Sequence, residues 1–220
     1  MLKSIHVVTE DEKRKARNFS SFRGEVKAYL ASVGRNYDKF TVTENDSFLG
    51  YISELAIKEE LKNLFGSDYK ILSWSDNFDM RKVYNIVKQK KVDDFSADYV
   101  KAYFYDQYDL QIVQPSTNKT LNIDVKTAET FKAPQITWDF LYPVVQNRKD
   151  GKDYIILCYY YKNSSGQDII LVGCLSEEEI SKCHILKKGE RTKFHTINQI
   201  DNYETNVRQY KDISFLKTLF

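Results

Sequence analysis

Two apolar runs, YIILCYYY at 154–161 and DIILVGCL at 168–175, constrain the fold more than any other feature of the chain. A strand with one wet face alternates apolar and polar residues, and neither run does. Continuous apolar runs of this length are expected of strands covered on both faces. The polar KNSSGQ between them reads as a turn. A sheet covered on both faces, in a chain that also carries several helical patterns, makes an α/β domain the simplest fold.

Those patterns come mainly before residue 92. IHVV near the start predicts a short strand, and 10–33 a helix with an acidic first turn that ends near Gly34. A second helix is capped by Asn45 or Asp46, runs to Leu64 or Phe65 and stops at Gly66. YKILSW at 69–74 reads as a strand and 79–91 as an amphipathic helix. Three runs enriched in β-branched and aromatic residues follow, DYVKAYFY, YDLQIV and LNIDVKT, predicting a three-strand meander. The segment holding Pro134 and Pro143 reads as a partly helical crossing. Ser176 and Glu179 form the signature of a capping box, with a strand near 194–197 and a final helix SFLKTLF beyond it. The whole, 1–220, reads as one domain with its core at about 46–175 and accessory elements at both ends.

The hairpin around PSTNKT raises a question of charge. If Asp109 falls level with Asp124, then Leu110 faces Ile123, Gln111 faces Asn122 and Ile112 faces Leu121. Apolar meets apolar and polar meets polar, which is how register is fixed when one face is buried. Side chains alternate, so Asp124 and Lys126 share a face, with Lys126 diagonal to Asp109. Two close carboxylates repel unless one is protonated or a cation lies between them. Such an oxygen-rich site suits Mg²⁺, which keeps several waters and takes one or two carboxylates plus phosphate oxygens.

A further acid is available on the preceding helix. Glu54 stands between Gly50, Ile57 and Leu61 at three- and four-residue spacing, at the border of the apolar stripe. Glu59 and Glu60 sit among Lys58, Lys62 and Asn63 on the solvated side. Gly50, one turn before Glu54, would let the helix approach a sheet closely.

The helix with GYISELA, the YDL that opens the hairpin, and the IDVK whose Asp124 is separated from Asp109 by fourteen residues resemble the PD-(D/E)xK nuclease superfamily, which includes many type II restriction endonucleases. The likeness covers about 46–175. It implies a restriction-endonuclease-like α/β core, a central mixed β-sheet flanked by helices. It also implies Mg²⁺ (Mn²⁺ can substitute) bound by Asp109, Asp124 and the backbone carbonyl of Val125, with Glu54 binding through water. Lys126 becomes the catalytic lysine and Glu54 the auxiliary catalytic carboxylate, a role Glu59 or Asp98 could also fill. Tyr108 stands where the nominal proline would be. The activity implied is metal-assisted hydrolysis of double-stranded DNA, by a homodimer where both strands are cut.

Composition agrees with this without requiring it. Hydrophobic residues are 42% and charged residues 29%, with 16 Tyr, 13 Phe and a net charge of +2. The basic clusters at 13–17, 88–91 and 187–193 are surface by default and phosphate contacts if the nuclease reading holds. Three cysteines without a CxxC pair suggest reduced thiols, and Cys183, His184 and His195 lack zinc-site spacing. The start has no signal-peptide core and the longest apolar run is too short to span a bilayer, so a soluble cytoplasmic protein is expected. P-loop, dinucleotide-binding, HExxH and GxSxG motifs are absent. Two other readings stand beside the nuclease: a nucleic-acid binder with an idle metal site, and an interaction protein for which the charges are a surface network.

Overall fold

The two apolar runs form the centre of the molecule. The computed structural model describes residues 2–35, 43–146, 151–193 and 195–220. Strands β6 (Tyr154–Asn163) and β7 (Gly166–Ser176) pair antiparallel through the Asn163–Gly166 turn. Residues 155–160 of β6 are all buried, and alternate side chains enter two different cores. Ile156, Cys158 and Tyr160 pack with Leu49, Ile52, Ala56 and Ile57 of a helix. Ile155, Leu157 and Tyr159 pack with Tyr142, Val144, Tyr203 and Tyr210 on the opposite side. Each such Ile or Leu contributes roughly 1.5–3 kcal/mol by leaving water, which is why the run has no polar position.

The first core lies under α1 (Glu10–Ser32) and α2 (Glu44–Phe65). The cap of α2 is Thr43, not Asn45 or Asp46: its hydroxyl accepts from the Asp46 N–H, and Asp46 accepts from Thr43 in return. The helix stops at Gly66, at φ 74°, as expected. The second core lies under a separate three-stranded sheet, in the order β5 (Asp139–Pro143), β9 (Asn202–Asn206), β8 (His184–Leu186). The predicted helical crossing before β6 is therefore a strand followed by a single 3-10 turn at Val144–Gln146. The chain end is also 3-10, at Ile213–Leu219. Near 194–197 the structure has an isolated Arg191–Ile197 bridge where a strand was expected, and Phe194 lies outside the described residues.

The main sheet has six strands in the order β1 (Lys3–Val7), β7, β6, β4 (Lys119–Thr130), β3 (Leu110–Gln114), β2 (Lys70–Ser73). β4 and β6 run parallel and all other pairs antiparallel, so the α/β class and the mixed sheet flanked by helices are both present. A meander exists, but its first strand is β2. DYVKAYFY belongs to α4 (Asp94–Phe104), which packs with α3 (Met80–Gln89) and α1. Asp93 caps α4 by accepting from Ser96 N–H, and Ala97, Val100, Tyr103 and Phe104 recur at helical spacing on its buried side. Among the described residues no helix is long and apolar enough to cross a membrane.

β7 carries one position that only glycine fits. Gly173 has φ 147°, and a Cβ there would collide with the backbone carbonyl of Lys211, which accepts from Cys174 N–H at 2.8 Å. Gly173→Ala should therefore detach the C-terminal segment and lower stability by about 2–4 kcal/mol. Urea unfolding measures this, and a change within about 0.5 kcal/mol would contradict the assignment.

Candidate active site

The site forms where β3 ends and β4 continues. The register is the one the sequence predicts, Leu110–Ile123, Gln111–Asn122 and Ile112–Leu121, with Gln111 Nε2 donating to Asn122 Oδ1 at 2.8 Å. Beyond Ile123, β4 keeps β6 as its neighbour and has no β3 partner on its other edge. The Val125 N–H on that open edge donates to Asp109 Oδ2 at 2.5 Å. A strand residue's N–H and C=O leave on the same edge, so the Val125 carbonyl faces the same opening.

A cavity of about 440 Å³ occupies this opening, and Glu54, Asp109, Asp124, Val125 and Lys126 all line it. All five residues implied by the sequence are thus brought together. Glu59 and Asp98 are not among them: their side chains are 66% and 64% exposed, paired with Lys62 and Arg35. Gly50 lines the cavity too. A Cβ there would meet only Glu54 Oε1 at 3.7 Å, so the glycine faces open space and is not a point of close helix–sheet approach.

Asp124 is wholly buried, and its two oxygens are shared among three partners. Lys126 Nζ lies 2.9 Å from Oδ2, the Tyr142 hydroxyl donates to Oδ2 at 3.3 Å, and Lys152 Nζ donates to Oδ1. Burial alone would raise the Asp124 carboxyl; Lys126 and Lys152 outweigh it and hold the group below the usual carboxylate range. Lys126 responds in kind. Burial opposes its charge, but Asp124 and Asp109 prevail, so the ammonium stays protonated.

The other acids feel nearby cations as well, but burial outweighs them. Burial, followed by repulsion from Asp124, raises the Asp109 carboxyl to about 7. Burial, followed by Asp109 and Asp106, raises Glu54 well above its ordinary value. Asp106, at the end of α4, has Arg23 Nη1 of α1 at 3.5 Å, and Arg23 also donates to the Phe104 carbonyl.

Sequence reasoning missed Arg23, Asp106, Tyr142 and Lys152. Only Lys152 leaves a local trace. It lies in GKD just ahead of β6, where Asn122 of β4 takes hold of both neighbours: Asn122 Nδ2 donates to the Gly151 carbonyl, and Asn122 N–H donates to Asp153 Oδ2 at 2.7 Å.

The lining counts five carboxylates, with Asp46, against Arg23, Lys126 and Lys152, a formal excess of two negative charges. Among the described residues no three His, Cys, Asp or Glu side chains converge on one point as a metal cage. The donors are all oxygen: two carboxylates, one strand carbonyl, and the Gln146 Oε1, which is buried without a hydrogen-bond partner among the described residues. That set fits a hard divalent cation that keeps most of its water, as Mg²⁺ does, better than a zinc-type ion.

No family model, curated protein or solved structure matches the chain.

The two aspartates oppose each other in pH response. Asp109 binds its proton more tightly in the fold than at its ordinary value of 3.8, so its contribution is fully present below that pH and is lost as pH rises toward about 7. Asp124 is depressed, so its contribution holds above the ordinary range and is lost in acid. In EDTA, Asp109→Asn should gain roughly 1–4 kcal/mol over wild type between pH about 4 and about 7. Urea titrations at the two pH values test this; a pH-independent difference would remove the repulsion argument.

Proposed function

We propose that the protein is a Mg²⁺-dependent endonuclease that hydrolyses DNA phosphodiester bonds, on a restriction-endonuclease-like version of the α/β core. The observation that carries this reading is the placement of Asp109, Asp124, Lys126 and Glu54 on one cavity, in the hairpin and helix positions of the PD-(D/E)xK resemblance. A divalent ion bound there would neutralise a phosphate's non-bridging oxygens and acidify a coordinated water. Asp109, Asp124 and the Val125 carbonyl are the residues to hold it.

The chain's own groups divide the remaining work. Lys126 stays an ammonium at neutral pH, so it acts by charge: it orients the attacking water and steadies the charge that develops on the phosphate. It does not take the proton. Glu54, raised and without an ion-pair partner among the described residues, is the carboxylate suited to receive it. Lys152 holds Asp124 ionised and in place. Cutting both strands of a duplex needs two such sites, which makes a homodimer the working form on this reading, in the setting of a type II restriction enzyme or a related phage or mobile-element nuclease.

One observation favours a second reading. Both oxygens of Asp124 are already engaged by lysines and a tyrosine, which is how a nucleic-acid binder with an idle metal site would be built. The two readings part on cleavage. Plasmid and phage DNA incubated with the purified protein should be cut in Mg²⁺ and left intact in EDTA. Asp124→Asn and Lys126→Met should each slow cutting at least about 100-fold, with folding confirmed by circular dichroism. DNA bound but never cut would favour the idle-site binder, and cutting that survives Asp124→Asn would sink the assigned site.

A further inference from the structure

The two oxygens of Asp124 are not held alike. Oδ2 is shared by the Lys126 ammonium at 2.9 Å and the Tyr142 hydroxyl at 3.3 Å. Oδ1 has one partner among the described residues, the ammonium of Lys152. Lys152 reaches it from a backbone fixed on both sides. Asn122 Nδ2 donates to the Gly151 carbonyl, and Asn122 N–H donates to Asp153 Oδ2 at 2.7 Å. In return Asp153 N–H donates to the Asn122 carbonyl at 2.9 Å, and Glu177 N–H donates to the Asp153 carbonyl at 3.2 Å. Only 9% of the Lys152 side chain is exposed. Lysine is seldom so buried unless its charge is paired there.

That charge acts on both acids of the hairpin. Lys152 stands with Lys126 against the burial that would raise Asp124, and the same two lysines pull against the burial and the Asp124 repulsion that raise Asp109. With one charge it does part of what a shared divalent cation would do with two. The two cations compete. An ammonium and a divalent ion on one carboxylate oxygen repel strongly in a buried site, where water screens little. Oδ1 is the oxygen to exchange, because freeing it breaks one contact and freeing Oδ2 breaks two.

We propose that Lys152 is an internal counter-cation in exchange with the divalent ion: it holds Asp124 Oδ1 until a divalent cation takes that oxygen, then turns into the cavity that it lines. The inference rests on the cation site of the nuclease reading and adds a device to it. The buried carboxylate stays paired at every metal concentration, and the metal binds more weakly than it would to the acids alone. The engagement of both Asp124 oxygens, which an idle site shares, is here the resting half of an exchange.

Mn²⁺ titration of the full chain, read by the electron paramagnetic resonance of free Mn²⁺, tests this, the site being the binding that Asp109→Asn removes. Lys152→Met should bind Mn²⁺ there about 10-fold more tightly than wild type. In EDTA the variant should melt about 6 °C or more below wild type, and saturating Mn²⁺ should close most of that gap. A lysine that only supports the fold predicts the lower Tm with Mn²⁺ affinity unchanged or weaker, and that result overturns the exchange. Wild type alone supplies a readout that does not depend on the variant folding. Acetylation of Lys152 by acetic anhydride, followed by mass spectrometry, should run at least about 5-fold faster in Mg²⁺ than in EDTA. Protection that Mg²⁺ leaves unchanged, or no Asp109-dependent Mn²⁺ site in either protein, also overturns it. DNA cut in Mg²⁺, with Mn²⁺ affinity unmoved by Lys152→Met, would remove the exchange and leave the nuclease reading standing. Tighter Mn²⁺ binding by Lys152→Met, in a protein that never cuts DNA, would do the reverse.

Discussion

The buried carboxylate of Asp124 is the point on which the rest of the structure depends. An isolated ionised carboxylate inside a protein is costly enough to unfold a domain of ordinary stability. Here it is tolerated because three separate segments reach it: Lys126 from the same strand, Lys152 from the lead into β6, and Tyr142 from the second sheet. Loss of one ionic partner of a buried pair costs about 3–5 kcal/mol, chiefly through the charge left behind. The main sheet, the clamp at Asn122 and the second sheet are therefore bound to one another through the site. The site is not grafted on a finished fold; its charges help close the fold.

That solution is uneven. Two lysines serve Asp124, while Glu54 and Asp109 form no ion pair among the described residues and Asp106 has only a long contact to Arg23. A stability-driven arrangement would spread the cations over the acids. Concentrating them leaves Glu54 and Asp109 raised above their ordinary values, by burial first and by neighbouring carboxylates second. The Tyr103 hydroxyl, Arg23 Nε and Gln146 Oε1, buried without a hydrogen-bond partner among the described residues, are local costs of the same kind.

The legible parts of the sequence were those with a short period. Leu110, Ile112, Leu121 and Ile123 fix the hairpin because slipping by one residue would reverse every side chain, and Glu54 was found because it borders a helical stripe. The continuous run in β6 announced two covered faces, but not that a second sheet covers one of them. The run from 98 to 105 was misread because aromatic enrichment resembles a strand; the decisive signals, the Asp93 cap and the spacing of Ala97, Val100, Tyr103 and Phe104, depend on starting the window five residues earlier. Arg23, Asp106 and Tyr142 could not be read at all, and Lys152 left only the trace in GKD. Each joins the site through a contact made 18 or more residues away in sequence, and a charge run such as EKRKAR gives no sign of which side chains turn inward.

α1 is the element most altered by such contacts. Its sequence describes a solvated accessory helix ahead of a core starting near residue 46. In the structure Ala16 and Val26 are completely buried, and Phe19 and Arg23 line the cavity of the hairpin acids. Arg23 stacks over Phe104 at 4.8 Å while its guanidinium faces Asp106, so α1 fixes the end of α4 from which Asp106 projects. The acids of the hairpin thus share their cavity with a helix that the motif does not contain. On the proposed reading, the DxK hairpin sets where a cation and a phosphate would go. The surroundings of the hairpin acids are set by α1 and by the end of α4, which lie outside the motif the chain resembles.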